Sequence, residues 1–304
     1  MIPKEFFLEE VKNDFTVTSK RKKVWATEID LLREFDRVCK ENNIKYMVAY
    51  GTMLGAVRHK GFIPWDDDID VVLFREDYNR LMKIGPKSFE GKYFFQTYKT
   101  DKNYYRTHAQ LRNSETTAIL DSEITNKKSF NQGIFIDIFP LDGYPEDNQK
   151  VEKLKKKVSN LLSTIAGYEG YNSYKKHSFL GKLRQILLRI VNIKTVLWYF
   201  NRVCSKYSSS NTKYICDIAL TMIKDISVWE KEKIYNTQEY QFEYTSVVGP
   251  REYDYYLKTL YGDYSVLIKD GNLHGNVFFN TEKPYTYYLD EGREELEEYA
   301  TAKH

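Results

Sequence analysis

The densest group of chemically capable side chains lies in Pro64-Trp65-Asp66-Asp67-Asp68-Ile69-Asp70-Val71-Val72. In a strand, residues two apart share a face, so Asp68 and Asp70 project together while Ile69 and Val71 turn the other way. Two adjacent carboxylates repel unless a cation sits between them. Mg²⁺ or Mn²⁺ suits the pair, because hard ions take oxygen ligands and join carboxylates to phosphates. The competing reading of a bare Asp-x-Asp is an acidic strand end facing water. A second unusual carboxylate favours the metal: in Gly133-Ile134-Phe135-Ile136-Asp137-Ile138-Phe139 an aspartate interrupts a continuous apolar run. Burying it ionised is costly unless it is paired or ligates a metal. The run holds no Lys or Arg, so a partner must come from elsewhere in the fold. On neighbouring strands, Asp68, Asp70 and Asp137 would make a three-carboxylate site for one or two divalent ions. Asp142, just past Pro140, reads as a turn residue.

A third element is Gly51-Thr52, at the start of TMLGAV. Glycine permits close backbone approach, and amides at a helix start can hold a phosphate, with the Thr hydroxyl alongside. Arg58 and Lys60 follow in RHKGFIPW; they either supply cationic donors to a diphosphate or sit in a solvated loop. Other chemistries lack their residues. None of the histidines, His59, His108, His177, His274 and His304, stands in HExxH or another metal-ligand spacing, and G-x-S-x-G, G-x-G-x-x-G and G-x-x-x-x-G-K-[ST] do not occur.

These residues need elements to position them. TEIDLLREFDRVCKE (27–41) places Ile29, Leu32, Phe35, Val38 and Cys39 on one helical face and ends at Asn42-Asn43. IKYMVAY (44–50) reads as a strand that breaks at Gly51-Thr52 into a short helix. RHKGFIPW is a loop leading to the strand DIDVVLF (68–74), and REDYNRLMKIG is helical. Further strands are expected at 92–98, 107–113, 116–120 and 133–141. The order predicts an α+β sheet with helices on one side.

The chain has 304 residues, 42% hydrophobic and 15% aromatic, enough for a sizeable core and incompatible with disorder. A net charge of +3 argues against a dedicated nucleic-acid binder. Cys39, Cys204 and Cys216 are far apart and read as inert thiols in a reducing compartment. MIPKEFFLEEVKNDF carries charges where a signal peptide needs an apolar run, and no apolar stretch suits a membrane span, so a cytoplasmic location is expected. The 26 tyrosines serve cores, sugar sites and cation cages alike. From Lys150 to Lys213 the sequence turns basic and helical, with 14 Lys and Arg against Glu152 and Glu169, about +12, while the remainder is near −9. Within it, Leu180, Leu183, Ile186, Leu187, Ile190, Val191 and Leu197 form an apolar stripe beside Lys175, Lys176, Lys182, Arg184, Arg189 and Lys194. Such a helix either packs on the protein core or lies on an anionic membrane surface. The C-terminal third is rich in Tyr and acids, with turn signals at Tyr261-Gly262-Asp263 and Asp270-Gly271-Asn272 and an acidic helical tail.

YGTMLGAVRHKGFIPWDDDIDV, followed by FIDIFPLDG, resembles the LicD family, which has the nucleotidyltransferase fold and includes bacterial phosphocholine transferases and the fukutin-related ribitol-phosphate transferases. The resemblance spans roughly residues 27–145, with LYGDY (260–264) beyond it. It implies that Gly51-Thr52 replaces the Gly-Ser turn, that Asp68 and Asp70 are the metal pair, and that Asp137 is the third carboxylate. It implies a nucleotidyltransferase-like mixed sheet with flanking helices, a catalytic core over 1–148, and a basic helical and Tyr-rich part over 149–304 that completes the donor and acceptor site. The expected activity is Mg²⁺- or Mn²⁺-dependent transfer of phosphocholine from CDP-choline to a hydroxyl of a surface-glycan precursor, such as one of lipopolysaccharide, teichoic acid or capsule. Gly51, Thr52, Arg58 and Lys60 would bind substrate. The acceptor would be a glycan, lipid-linked where the chain touches the inner face of a membrane, and no nucleic acid is involved. Another CDP-alcohol such as CDP-ribitol, a plain nucleoside triphosphate, or a non-catalytic role as a binding subunit of a polysaccharide assembly complex are the alternatives.

Overall fold

The helical face predicted over 27–41 belongs to a longer helix, α1 (Ser19–Glu41), capped by the Thr18 hydroxyl, which accepts from the Arg21 amide at 3.2 Å. Its opening residues carry a run of cations that hides the helical period, so the pattern shows only from the second half. Ile29, Leu32, Phe35, Val38 and Cys39 are buried as predicted, and Asn43 turns the chain out of the helix with φ 51°. This is a computed structural model, and it describes residues 2–125, 130–169, 192–224, 228–269 and 277–301. The stripe from Leu180 to Val191, with Lys175, Lys176, Lys182, Arg184 and Arg189, lies outside the described residues, as does the turn at Asp270-Gly271-Asn272.

Before α1, β1 (Glu10–Lys12) and β2 (Phe15–Val17) form a small hairpin. The main sheet is mixed. Its central strand is β8 (Ile134–Tyr144), flanked on one side by β4 (Asp70–Phe74), which runs parallel to it, and then by β3 (Met47–Val48), antiparallel to β4. Along its first half β8 pairs antiparallel with β6 (Ala109–Asn113), and β6 with β5 (Tyr93–Gln96). Along its last residues it pairs with β9 (Tyr214–Cys216), which carries β10 (Trp229–Glu230). The predicted strand at 44–50 is thus reduced to Met47–Val48, because Tyr50 already opens the next helix, α2 (Tyr50–Arg58). The helix predicted at REDYNRLMKIG is α3 (Arg75–Ser88). β7 (Thr117–Leu120) leads into α4 (Asp121–Thr125). The fold is α+β.

The residues past 148 add both helices and strands. They form α5 (Asn148–Glu169), α6 (Ile193–Cys204), α7 (Ile218–Lys224) and α8 (Lys231–Tyr235), the hairpin β11 (Thr237–Phe242) and β12 (Thr245–Pro250), and α9 (Tyr253–Tyr261). β13 (Val277–Asn280) pairs with β7, and the acidic tail is α10 (Arg293–Thr301). Trp229, Phe242, Tyr256 and Leu257 share one core with α1 and the sheet. A second core joins Leu154 and Val158 of α5 to Leu197 and Phe200 of α6 and to Cys204 and Cys216. Leu197, the end of the basic stripe, is therefore a core residue. The cysteines are free and buried.

Candidate active site

Register places the carboxylates. Asp70 opens β4 and is the lateral neighbour of Asp137 in the middle of β8, and the Asp137 amide donates to the Ile69 carbonyl at 2.9 Å. Asp68 precedes the strand, in the segment leading into it, rather than within β4 as the alternation suggested. The alternation nonetheless holds, since Ile69 and Val71 are fully buried. One carboxylate oxygen from each of Asp68, Asp70 and Asp137 lies within 4.8 Å of the others, with Asp70 and Asp137 buried. Burial, and then the charges of Asp68, Asp137 and Asp66, push the Asp70 carboxyl well above its ordinary range. Like charges directly opposite on neighbouring strands destabilise a sheet. An oxygen-only donor set with this much mutual repulsion fits a hard divalent cation, which would offset that repulsion.

The segment carrying Asp66 to Asp68 is fastened from behind by α1. Arg21 Nη1 and Trp25 Nε1 both donate to the Asp66 carbonyl, at 2.8 and 3.0 Å, and Trp25 stacks on Phe62 at 4.6 Å. The turn of the β11–β12 hairpin clamps the same loop, since Glu243 accepts from the Phe62 amide at 3.1 Å and its own amide donates to the Lys60 carbonyl. In front stands α2. The Thr52 hydroxyl accepts from the Asp70 amide at 2.8 Å and is buried, so it fastens the carboxylate strand to the helix start rather than facing solvent. Gly51 backs directly onto Asp66: a Cβ there would lie 2.5 Å from Asp66 Oδ2.

Asp68, Asp70, Gly51 and Arg58 line a cavity of about 300 Å³, whose other walls include Trp65 and Tyr261. A larger cavity, about 640 Å³, lies elsewhere, between Phe74, Glu76 and Tyr235, and none of the three carboxylates lines it. Arg58 ends α2 with its guanidinium on the backbone of the 261–268 segment, donating to Tyr264 O at 2.9 Å and Val266 O at 3.3 Å. Lys60 is exposed, has φ 58°, and does not line the cavity. Its left-handed backbone serves the loop's turn and points to the solvated reading. Asp142 is no turn residue. It lies within β8, buried, and binds Arg75 through both carboxylate oxygens at 2.5 and 2.6 Å, because Pro140 does not end the strand.

The sequence was compared with known proteins. Residues 43–154 match the LicD/FKTN/FKRP nucleotidyltransferase domain, and all three carboxylates fall inside that span. These residues are a LicD-family domain. Over 251 residues, 79% of this chain and 89% of the relative, the sequence is 29% identical to a lipopolysaccharide cholinephosphotransferase, LicD, of Haemophilus influenzae. It is 35% identical over 116 residues, 38% of this chain and 39% of the relative, to an uncharacterized protein of Rickettsia prowazekii. The wall of the cavity formed by Tyr261 and Tyr264 lies outside the LicD-family domain, in the LYGDY stretch.

Several groups around the LicD-family carboxylates carry no motif of their own. His108 Nε2 and Gln110 Nε2 reach the same atom, Asp137 Oδ1, at 3.0 and 2.6 Å; these are the partners that the apolar run around Asp137 required. Tyr50, with φ 45° at the start of α2, sends its hydroxyl to Asp217 Oδ2 at 3.3 Å and its amide to the Tyr256 hydroxyl. Burial raises Asp217 to about 6, opposed by the Leu220 amide and reinforced by Asp142. For Asp137 the sequence signal was the missing counter-charge. For Asp217 there was none, since its meeting with Tyr50 depends on a contact between residues far apart in the chain.

Proposed function

We propose that the chain is a phosphotransferase that moves phosphocholine from CDP-choline to a hydroxyl of a cell-surface glycan, such as lipopolysaccharide. The observation that carries this reading is a cavity lined by two carboxylates of the triad together with Trp65, Tyr261 and Tyr264. A CDP-alcohol brings a diphosphate that needs a cation, and choline brings a quaternary ammonium that favours aromatic faces by about 0.5–2 kcal/mol. The relative named as a lipopolysaccharide cholinephosphotransferase supports the same donor group and acceptor class.

In the reaction, the acceptor oxygen bonds to the choline-bearing phosphorus, the bond from that phosphorus to the bridging oxygen breaks, and CMP departs with the electron pair. A carboxylate of the site takes the hydroxyl proton. Asp68, Asp70 and Asp137 would hold Mg²⁺ or Mn²⁺, which when bound neutralises diphosphate charge. Gly51 lets the backbone at the start of α2 approach the phosphates, and Arg58 steadies the segment that closes the cavity.

The test is CMP release from CDP-choline, CDP-ribitol and nucleoside triphosphates, with Mg²⁺ and glycan acceptors. CDP-choline turnover is expected, with Trp65→Ala or Tyr261→Ala raising the donor KM about tenfold for choline and little for ribitol. Turnover of ribitol alone would reassign the donor, and no turnover with Mg²⁺ binding absent would favour a non-catalytic binding subunit.

A further inference from the structure

The sheet lays a row of polar side chains across four strands. Asp70 on β4 neighbours Asp137 on β8, Asp137 neighbours Gln110 on β6, and Gln110 neighbours Gln96 on β5. Residues in lateral register share a face, as do residues two apart on one strand, so Arg112 joins this row beside Gln110. Its guanidinium is fully buried and lies over the Phe135 ring at 4.6 Å. It donates to Gln110 Oε1 and to the Gly133 carbonyl, each at 2.7 Å, and to Gln96 Oε1. Gln96 in turn donates to Asp101 Oδ2 at 2.7 Å and to the Asn131 carbonyl at 2.9 Å.

The hydrogen-bond acceptors that Arg112 meets among the described residues are neutral oxygens, which compensate a buried cation less than a carboxylate would. What they do supply is direction. A guanidinium has only donors, so the Gln110 amide must turn its oxygen toward Arg112 and its nitrogen toward Asp137. A flipped amide would set two oxygens against each other at 2.6 Å, where Nε2 now meets Asp137 Oδ1.

We propose that Arg112 is a positioning residue for the metal-binding carboxylates: it fixes the Gln110 amide, which with His108 fixes the rotation of the Asp137 carboxylate. This rests on the reading of Asp68, Asp70 and Asp137 as cation ligands. Partners that orient metal ligands are commonly worth 10–100-fold in metal affinity.

The test is Mn²⁺ binding to the full chain, followed by electron paramagnetic resonance, with thermal melting in EDTA to establish folding. Gln110→Met, near in volume but without a donor, is expected to weaken Mn²⁺ about tenfold, and to lower kcat while the donor KM stays within about twofold. Arg112→Lys, which can hold only part of the network, should lose less. The double variant should bind Mn²⁺ no more weakly than Gln110→Met alone, because Arg112 acts through Gln110. Gln110→Met removes no charge, so an unchanged Mn²⁺ affinity in that variant still overturns the inference if Arg112→Lys does not fold. Unchanged Mn²⁺ affinity in Gln110→Met, or additive losses in the double variant, overturns the inference while leaving the metal reading intact. Failure of the unaltered chain to bind Mn²⁺ removes the metal reading and this inference with it.

Discussion

Asp70 faces two opposed demands: it opens a buried strand, and it stands beside Asp137 in register with Asp68 close by. Replacing it removes repulsion and, on the proposed reading, a cation ligand at once. Asp70→Asn is therefore expected to lower turnover at least about 100-fold, yet to raise the melting temperature in EDTA by about 2–4 °C for each kcal/mol of repulsion relieved. Near-normal rates in this variant would remove the metal assignment. Asp217 poses a different problem, having moved from the ordinary 3.8 to about 6 through burial. Between those values the unfolded chain gives up the Asp217 proton while the folded chain keeps it, so this residue costs stability as pH rises through the window and the full cost stands above it. Asp217→Asn should thus stabilise little at pH 4 and by about 1–3 kcal/mol at pH 8, measured by urea unfolding in EDTA. A gain of equal size at both pH values would count against it. Asp68, Asp70 and Asp137 could be picked out from sequence because strand alternation and a carboxylate inside an apolar run are local patterns. Asp217, His108 and Gln110 owe their roles to partners in other strands and helices, and Lys60, two residues from Arg58, is exposed and does not line the cavity.

At the scale of elements, the site is a junction: α1 fastens the Asp66–Asp68 segment from behind, α2 fastens β4 through Thr52, and Arg58 at the end of α2 fastens the 261–268 segment across the cavity. Because its guanidinium holds two carbonyls, Arg58→Ala should free that segment, raising the donor KM about tenfold and speeding proteolysis between 261 and 269, while Arg58→Lys keeps one contact and recovers part of the loss. A KM change without faster proteolysis would instead place Arg58 on the diphosphate. Gly51→Val tests the front of the junction. Its Cβ would meet Asp66 Oδ2 at 2.5 Å, so turnover should fall at least as far as in Arg58→Ala, and unchanged turnover would show that the start of α2 can move away. The longer helices α1, α3 and α5 and the central strands could be read from sequence since periodicity marks them, whereas the short helices α4, α7 and α8, and α9, carry too little of a period to show. β3 is shorter than the apolar run over 44–50 because that run continues into a helix, and β11 carries no strand signal because most of its residues are polar and exposed, leaving no buried face for a pattern to report.

At the scale of the molecule, charge is unevenly shared: the segment from Lys150 to Lys213 carries about +12 and the rest about −9. α5 and α6 pack together through Leu154, Val158, Leu197 and Phe200, which settles the apolar end of the basic stripe in the core. The opposite side of α6 is more telling. Trp198 is 51% exposed and Tyr199 43%, Arg202 lies over the Trp198 ring at 5.9 Å, and Lys206 is exposed in the turn just past the helix. Exposed aromatic rings beside cations match the interface of an anionic bilayer, where each basic residue adds about 1 kcal/mol and the attraction fades within a Debye length of about 10 Å at 0.1 M salt. No described helix is long and apolar enough to cross a membrane. Vesicle co-sedimentation tests the match to an anionic bilayer. The full chain should pellet with anionic but not neutral vesicles at low salt and be released at high salt; Arg202→Gln with Lys206→Gln should weaken this roughly tenfold, and Trp198→Ala should weaken it with little dependence on salt. Absence of sedimentation with anionic vesicles at low salt would mean that the aromatic and basic face of α6 serves some purpose other than lipid contact.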